Sequence, residues 1–158
     1  MQAAGDLRTA APEETRAIGH ALGSHAHAGA LVALIGPLGA GKTELAKGVA
    51  EGLGVTSVVN SPTFVLMNEH LGRLRLFHID AYRLDDPDEA LAAGLFDDRQ
   101  ANGVAVVEWA DRLADRLPAE RLELTLVPEA DGSDQRRISW RAVGPSHLRL
   151  AQDALVQG

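Results

Sequence analysis

The chain has 158 residues, of which 46% are hydrophobic and 23% are charged, and it contains no cysteine. This length predicts one domain spanning 1–158 with enough chain to bury a core, and the lack of cysteine excludes disulfides and thiol chemistry. The net charge of −7 argues against a broad positive surface for nucleic acid, so any work on RNA is expected to run through a protein partner.

The N-terminal segment predicts neither secretion nor membrane insertion. Residues 1–11 include the charged Asp6 and Arg8 and lack the apolar core of a signal peptide. No apolar run in the chain approaches the roughly 20 residues that a membrane-spanning helix needs. We therefore expect a cytoplasmic protein that does not contact a membrane and whose residues 1–11 are flexible.

The first elements predicted after this segment are helix, strand and helix. A helix is expected to begin at Pro12, because proline and acidic residues favour the first turn, and to end near Gly23. The continuous apolar run over 30–35 predicts a buried strand. Residues 42–53 carry apolar side chains at helical spacing and predict the second helix.

The loop between that strand and that helix matches a phosphate-binding pattern. Residues 36–43 read GPLGAGKT, a complete match to G-x-x-x-x-G-K-[ST], in the strand–loop–helix context that the pattern requires. Glycines let the backbone approach an anion, Lys42 is expected to reach the β- and γ-phosphates, and the Thr43 hydroxyl is expected to ligate Mg²⁺. The predicted nucleotide-binding residues of this segment are Pro37, Leu38, Gly39, Ala40, Gly41, Lys42, Thr43 and Glu44.

The rest of the chain predicts further strands and short helices. A β-hairpin is expected from 65–69 and 74–80, and a capping signature predicts a helix over 86–93, followed by a turn or short helix over 94–98. The remaining elements predicted are a strand over 104–107, a helix over 109–117, strands over 121–127 and 137–143 around a turn at 131–133, and a C-terminal helix over 145–158. Helices interleaved with strands and hairpins predict an α/β fold with a mixed sheet.

Two acidic residues follow apolar strands, as a magnesium-dependent phosphate site requires. Asp80 ends the run 76–79 and Glu108 ends the run 104–107. Ligands of α/β proteins gather at the carboxyl ends of strands, so both acids are candidates for catalysis and for metal ligation together with Thr43. The sequence leaves open which of them holds Mg²⁺ and which positions water.

Other polar residues give weaker signals. His25 and His27 could bind a metal, but in a loop without nearby acids a solvated pair is favoured. His78 would face the same side of its strand as Asp80, and a structural role is favoured for it. Arg83 is a nearby cation that could act as an arginine finger, although a surface salt bridge is the more common use.

Four motifs in succession resemble a known family. The loop at 36–43 is followed by Ser61-Pro62-Thr63-Phe64, by 78–84 (HIDAYRL) and by Val107-Glu108-Trp109. This order resembles the TsaE (YjeE) family of bacterial ATPases over about 12–127. The resemblance implies a P-loop NTPase-like three-layer fold with a mixed central β-sheet. It also implies work with the TsaD and TsaB proteins in threonylcarbamoyladenosine modification of tRNA, which would be contacted only indirectly.

The resemblance also implies roles for single residues. Lys42 and Thr43 match the phosphate and Mg²⁺ residues, and Asp80 and Glu108 match the essential acids. Thr63 resembles a switch threonine that senses the γ-phosphate through Mg²⁺, with a hydroxyl packed at a strand start as the alternative.

Trp109 and Glu44 also lie beside residues of the four motifs. Trp109 could border the nucleotide, and a plain core tryptophan is the alternative. Glu44 replaces a threonine often found after the loop; it favours the helix dipole, yet its charge is expected to repel the phosphates.

The sequence thus predicts a Mg²⁺-dependent ATPase that takes ATP and ADP. Lys42, Asp80 and Glu108 would be its catalytic residues. Hydrolysis is expected to be slow without partners, because an arginine finger can contribute about 10³–10⁵ in rate. Two alternatives remain open at this point: a small-molecule P-loop kinase, and a module that binds ATP as a sensor without hydrolysing it.

Overall fold

A single mixed sheet organises the chain. The computed structural model describes residues 1–59, 67–82, 84, 86, 88, 91 and 100–156. Its strands are β1 (Gln2–Thr9), β2 (Leu31–Ile35), β3 (Met67–His70), β4 (Leu76–Asp80), β5 (Val104–Glu108), β6 (Arg121–Pro128) and β7 (Arg136–Val143). The α-helices of the described residues are α1 (Pro12–His25), α2 (Lys42–Gly52) and α3 (Pro145–Ala154). None of the described helices is long and apolar enough to cross a membrane.

The seven strands lie in the order β1-β7-β6-β2-β5-β4-β3. The four central strands pair in parallel, β6 with β2, β2 with β5, and β5 with β4. The outer pairs are antiparallel. The predicted α/β fold with a mixed sheet is therefore confirmed, and so are the hairpin that β3 and β4 form and the one that β6 and β7 form.

Burial on both faces explains why the central strands are apolar throughout. On one face, Val32 and Leu34 of β2 pack with buried residues of α1, α2 and α3. On the other face, Leu31 and Ala33 pack with β4, β5 and the segment that follows β5. A strand covered on both sides reads as a continuous apolar run, which is why β2 and β5 could be predicted.

Helices α1 and α2 touch backbone to backbone. Gly19 and Gly23 of α1 face Gly48 and Gly52 of α2, and a Cβ added at any of these four positions would lie 2.0–2.2 Å from a carbonyl oxygen of the other helix. Small residues at such a crossing let two helices approach closely. The contact fixes α1 against the helix that begins at the glycine-rich loop.

Two predicted segments were wrong. Residues 1–11 are not a flexible tail, because Gln2–Thr9 forms an edge strand paired along its whole length with β7. The segment 109–117 is not one helix but two short 3₁₀ turns, Ala110–Arg112 and Ala114–Arg116, since Trp109 adopts a left-handed conformation at φ 57°. The predicted helix over 86–93 and the turn over 94–98 lie largely outside the described residues.

Candidate nucleotide-binding site

The ends of three parallel strands meet at one edge of the sheet. β2 runs into the glycine-rich loop, β4 ends at Asp80 and β5 ends at Glu108, and the two acids are register partners. A cavity of about 450 Å³ opens there. Its lining is Pro12, Thr15, Leu38, Gly39, Ala40, Gly41, Lys42, Thr43, Glu44, Asp80, Tyr82, Glu108, Trp109, Asp134 and Arg136.

The loop has a backbone that only glycine adopts readily. Gly39 and Gly41 have φ of 78° and 106°, in the left-handed region. A Cβ on Gly39 would meet no atom within 4 Å, because the position faces open space. Gly41 begins α2 without a side-chain cap, so the first-turn amides and the helix dipole offer a site for an anion such as phosphate.

Lys42 is held under the loop. Only 4% of the residue is exposed, and its ammonium donates to the carbonyl oxygens of Gly36 at 2.5 Å and Pro37 at 2.8 Å. The same nitrogen lies 3.9 Å from the centre of the Trp109 ring. Burial lowers the pKa of Lys42, while the charge of Glu108 among others opposes that shift. The ammonium is therefore positioned at the loop, where phosphate oxygens would replace carbonyl acceptors.

Glu108 lies between two hydrogen-bond donors. The residue is 2% exposed; its Oε1 accepts from the Thr43 hydroxyl at 2.8 Å and its Oε2 contacts Nε2 of His78 at 2.6 Å. The Thr43 hydroxyl donates its proton to the carboxylate, so its oxygen would meet a cation as an electron-pair donor. A hydroxyl beside a carboxylate, with a second carboxylate on the next strand, is a hard oxygen set that fits Mg²⁺.

Asp80 has a different environment from Glu108. It is half-buried, and its Oδ1 accepts the backbone N–H of Tyr82 at 2.9 Å. Burial raises the pKa of Asp80, and the hydrogen bond from Tyr82 partly opposes this. The two acids are thus brought together, but Glu108 is tied to Thr43 whereas Asp80 faces the cavity from the neighbouring strand.

Trp109 lies at the wall of the cavity. Its ring packs against Tyr82 with 4.8 Å between ring centres, and the side chain also contacts the core face of β4 and β5. A left-handed backbone in a bulky residue is strained and persists where the surroundings impose it. Trp109 is therefore partly packed in the core, as one alternative had it, and also lines the cavity, while its contact with a nucleotide stays a prediction.

The sequence did not predict the contacts that support the loop from outside. Arg136 donates to the carbonyl oxygens of Ala40 and Gly39, each at 3.1 Å. Arg16 donates from Nε to Glu44 at 2.6 Å, so the charge expected to repel phosphates has a cationic partner. Both arginines come from elements distant in sequence, and no local motif marks them.

The remaining predicted residues fall into two groups. Thr63 and Arg83 lie outside the described residues. His25 is exposed, whereas His27 is half-buried with its ring 5.5 Å from that of His147, so the two do not form an equivalent solvated pair. His78, for which a structural role was favoured, contacts the Glu108 carboxylate directly.

The sheet order, the loop and the acids at the strand ends define a P-loop NTPase-like α/β protein. The family model described as "Threonylcarbamoyl adenosine biosynthesis protein TsaE" matches residues 9–138. The chain therefore belongs to the TsaE family.

Individual relatives agree with this placement. The chain is 44% identical over 147 residues to a tRNA threonylcarbamoyladenosine biosynthesis protein TsaE of Bacillus subtilis, covering 92% of this chain and 90% of that protein. It is 38% identical to the Treponema pallidum protein of the same name, over 77% of this chain and 90% of that protein. The crystal structure of Bacillus subtilis YdiB superposes with a TM-score of 0.79 at 37% identity, covering 98% of this chain and 95% of that one.

Proposed function

We propose that the protein is a Mg²⁺-dependent ATPase that supports threonylcarbamoyladenosine modification of tRNA in the cytoplasm. The observation that carries the enzymatic part is the 2.8 Å hydrogen bond between Thr43, at the end of the glycine-rich loop, and Glu108, at the end of β5. This pairing joins the phosphate-binding loop to an acid of the neighbouring strand. The biosynthetic part rests on family membership and on the names of the relatives.

Each residue then has a defined task in the proposed reaction. The loop amides and Lys42 bind the β- and γ-phosphates, and Thr43 with Glu108 would hold Mg²⁺, which when bound neutralises charge on the phosphates. Asp80 faces the cavity without the tie to Thr43, so we assign it to orient the attacking water. Trp109 borders the nucleotide.

The charge distribution of the cavity supports slow hydrolysis by the isolated protein. Among the described residues that line the cavity, the cations are Lys42 and Arg136, and the guanidinium of Arg136 already donates to loop carbonyls. An additional cation at the γ-phosphate would accelerate the reaction. We propose that assembly with TsaD and TsaB completes the site, and that Thr63 relays the nucleotide state to those partners.

The partner proteins also account for the RNA connection. A net charge of −7 does not favour direct binding to a polyanion. We propose that tRNA is contacted through TsaD and TsaB and that nucleotide state changes their affinity for this protein. Equal affinity in the ATP, ADP and nucleotide-free states would contradict this switching role, because a ligand shifts an equilibrium only through differential binding.

The enzymatic proposal is tested by phosphate release from Mg-ATP, with and without TsaD–TsaB. Glu108→Ala and Asp80→Asn are expected to abolish release, whereas Asp115→Ala, which changes an exposed acid outside the cavity, is the matched control. Tight ATP binding without release, alone or with partners, would instead favour the sensor alternative. Transfer of the phosphoryl group to a small acceptor would favour the kinase alternative.

A further inference from the structure

A buried imidazole lies behind the acid that contacts Thr43. His78 is on β4, points to the same face as Asp80, and is 0% exposed. Its Nε2 lies 2.6 Å from Oε2 of Glu108, while Oε1 of Glu108 accepts from Thr43. The three side chains form a continuous series, His78–Glu108–Thr43, that ends at the glycine-rich loop.

We propose that His78 is a positioning residue that holds the Glu108 carboxylate toward Thr43 and thereby sets the affinity for the Mg²⁺–nucleotide complex. The inference deepens the proposed function and rests on it. His78 does not line the cavity, so it acts through Glu108 and not on the nucleotide itself.

Hydrogen-bond chemistry defines what His78 contributes. A carboxylate oxygen only accepts, so the contact requires a proton on Nε2, which we assign from its partner. The other ring nitrogen, Nδ1, is buried and has no hydrogen-bond partner among the described residues. Within the part of the chain that the structure describes, the imidazole therefore makes one hydrogen bond, and its partner is Glu108.

Geometry shows why this contact matters for Glu108. A glutamate has a flexible side chain whose terminal torsion is broad, so burial alone does not fix the direction of its two oxygens. Donors on both oxygens, from strand β4 and from helix α2, hold the carboxylate plane between them. Residues that hydrogen-bond metal ligands from outside commonly change metal affinity by about 10–100-fold when they are replaced.

Two amide substitutions separate this role from simple packing. In His78→Gln, the amide nitrogen can occupy the position of Nε2 and still donate to Glu108. In His78→Asn, the shorter side chain places its amide near the position of Nδ1 and cannot reach Glu108. Both are polar and neutral, but Asn also lacks one buried methylene, so the Glu108→Ala background below is needed to separate lost packing from the lost contact.

The experiment measures ADP binding by the full chain as a function of Mg²⁺ concentration. In His78→Asn, the half-saturating Mg²⁺ concentration is expected to rise about 10-fold, while ADP affinity without metal stays unchanged. His78→Gln is expected to remain within about threefold of the wild type. The control is His20→Asn, the same substitution at an exposed histidine of α1, for which no change in the Mg²⁺ dependence of ADP binding is expected.

A second background tests whether the effect passes through Glu108. In Glu108→Ala, adding His78→Asn is expected to change the Mg²⁺ response no further, because residues that act as a unit are not additive. Equal responses of the Gln and Asn variants, or a full His78→Asn effect that persists in Glu108→Ala, would overturn the proposal.

Nuclear magnetic resonance provides a test that does not depend on the stability of the His78 variants. The wild type is expected to show a downfield imidazole N–H resonance without nucleotide, and that resonance should be lost in Glu108→Ala. Its persistence in Glu108→Ala would overturn the proposal even if His78→Asn fails to fold. Hydrolysis is not a readout here, so a protein that binds Mg-ADP but releases no phosphate would refute the ATPase proposal and leave this one standing.

Discussion

Arg136 donates from Nε to the carbonyl oxygen of Ala40 at 3.1 Å, across a separation of 96 positions in the chain. Its Nη2 donates to Gly39, and its Nη1 donates to Ser133 and Gln135 at the β6–β7 turn. A guanidinium is suited to this position because its five donors diverge in a rigid plane. Arg136 thus fixes two loop carbonyls to the adjacent hairpin, with the loop amides left for an anion.

Replacing this arginine is expected to weaken nucleotide binding. Arg136→Met removes the charged donors to Gly39 and Ala40, so the loop must be ordered by the nucleotide itself, and ADP affinity should fall about 10-fold. The ADP affinity of Arg136→Lys should lie between those of the wild type and Arg136→Met, because one ammonium cannot donate to all four carbonyl oxygens. Calorimetric titration with ADP measures this, and Arg137→Met, next in the chain and half-exposed, is the control. Equal losses in the Arg136 and Arg137 variants would contradict the bracing role.

Local patterns explain which parts of the fold were predictable. β2 and β5 are continuous apolar runs, and the loop 36–43 is set by its glycines, so neighbouring residues determine these parts. β1 was missed because it is an edge strand whose inward side chains are only partly buried. Its formation depends on pairing with β7, which joins opposite ends of the chain.

In the site, too, local sequence patterns predicted some residues, and the others depend on the tertiary structure. The sequence predicted the positions of four site residues, because each comes at or after the carboxyl end of a predicted strand. These residues are Lys42, Thr43, Asp80 and Glu108. The sequence did not predict the contacts of Arg136 with the loop or of His78 with Glu108, since only the strand order brings these side chains to the loop. The 3₁₀ turns after β5 were missed because the left-handed conformation of Trp109 reflects tertiary packing and not a local preference.

The pair formed by Arg16 and Glu44 is expected to protect phosphate binding from an unfavourable charge. Glu44 lines the cavity, and Arg16 donates to it at 2.6 Å from α1. Arg16→Met would leave that carboxylate unpaired beside the phosphates and should weaken ADP binding about fivefold at low salt. The loss should shrink in high salt, because both side chains are partly exposed.

A double variant identifies the cause of that loss. In Arg16→Met with Glu44→Gln, no unpaired carboxylate remains at the cavity, because Glu51, which also pairs with Arg16 at 3.5 Å, does not line it. ADP affinity should therefore return to near the wild-type value. Isothermal titration at two salt concentrations measures the wild type, Arg16→Met, Glu44→Gln and the double variant. If the double variant bound as weakly as Arg16→Met alone, the charge explanation would be wrong and Arg16 would act through the α1–α2 packing.

The close crossing of α1 and α2 predicts that an added methyl group is destabilising. In Gly48→Ala, the new Cβ would lie 2.0 Å from the carbonyl oxygen of Arg16, and such overpacking costs about 3 kcal/mol. Alanine improves helix propensity by about 1 kcal/mol, so a net loss of about 2 kcal/mol is expected. Urea unfolding measures it, with the exposed Ser24→Ala of α1 as control. An unchanged midpoint for Gly48→Ala would show that the helices can separate without cost.

His147 links the stability of the fold to pH. Its Nε2 accepts the backbone N–H of Leu31 at 3.1 Å, which attaches α3 to the start of β2. Burial, with a smaller contribution from the neighbouring His27, lowers the pKa of His147 from 6.5 to about 4. The folded state therefore favours the neutral ring, and a proton on Nε2 would remove the acceptor.

The sign of the pH effect follows from that lowered pKa. The contribution is fully present above the unfolded-state pKa of 6.5 and is lost as pH falls, and the loss reaches about 3 kcal/mol at about pH 4. His147→Gln keeps an acceptor for Leu31 that does not titrate in this range. The wild type should therefore lose about 3 kcal/mol more of its unfolding free energy than His147→Gln between pH 7 and pH 4. Urea titrations at both pH values measure this loss, and His20→Gln, at an exposed histidine, is the control. Parallel pH profiles for the wild type and His147→Gln would mean that His147 is not the titrating group.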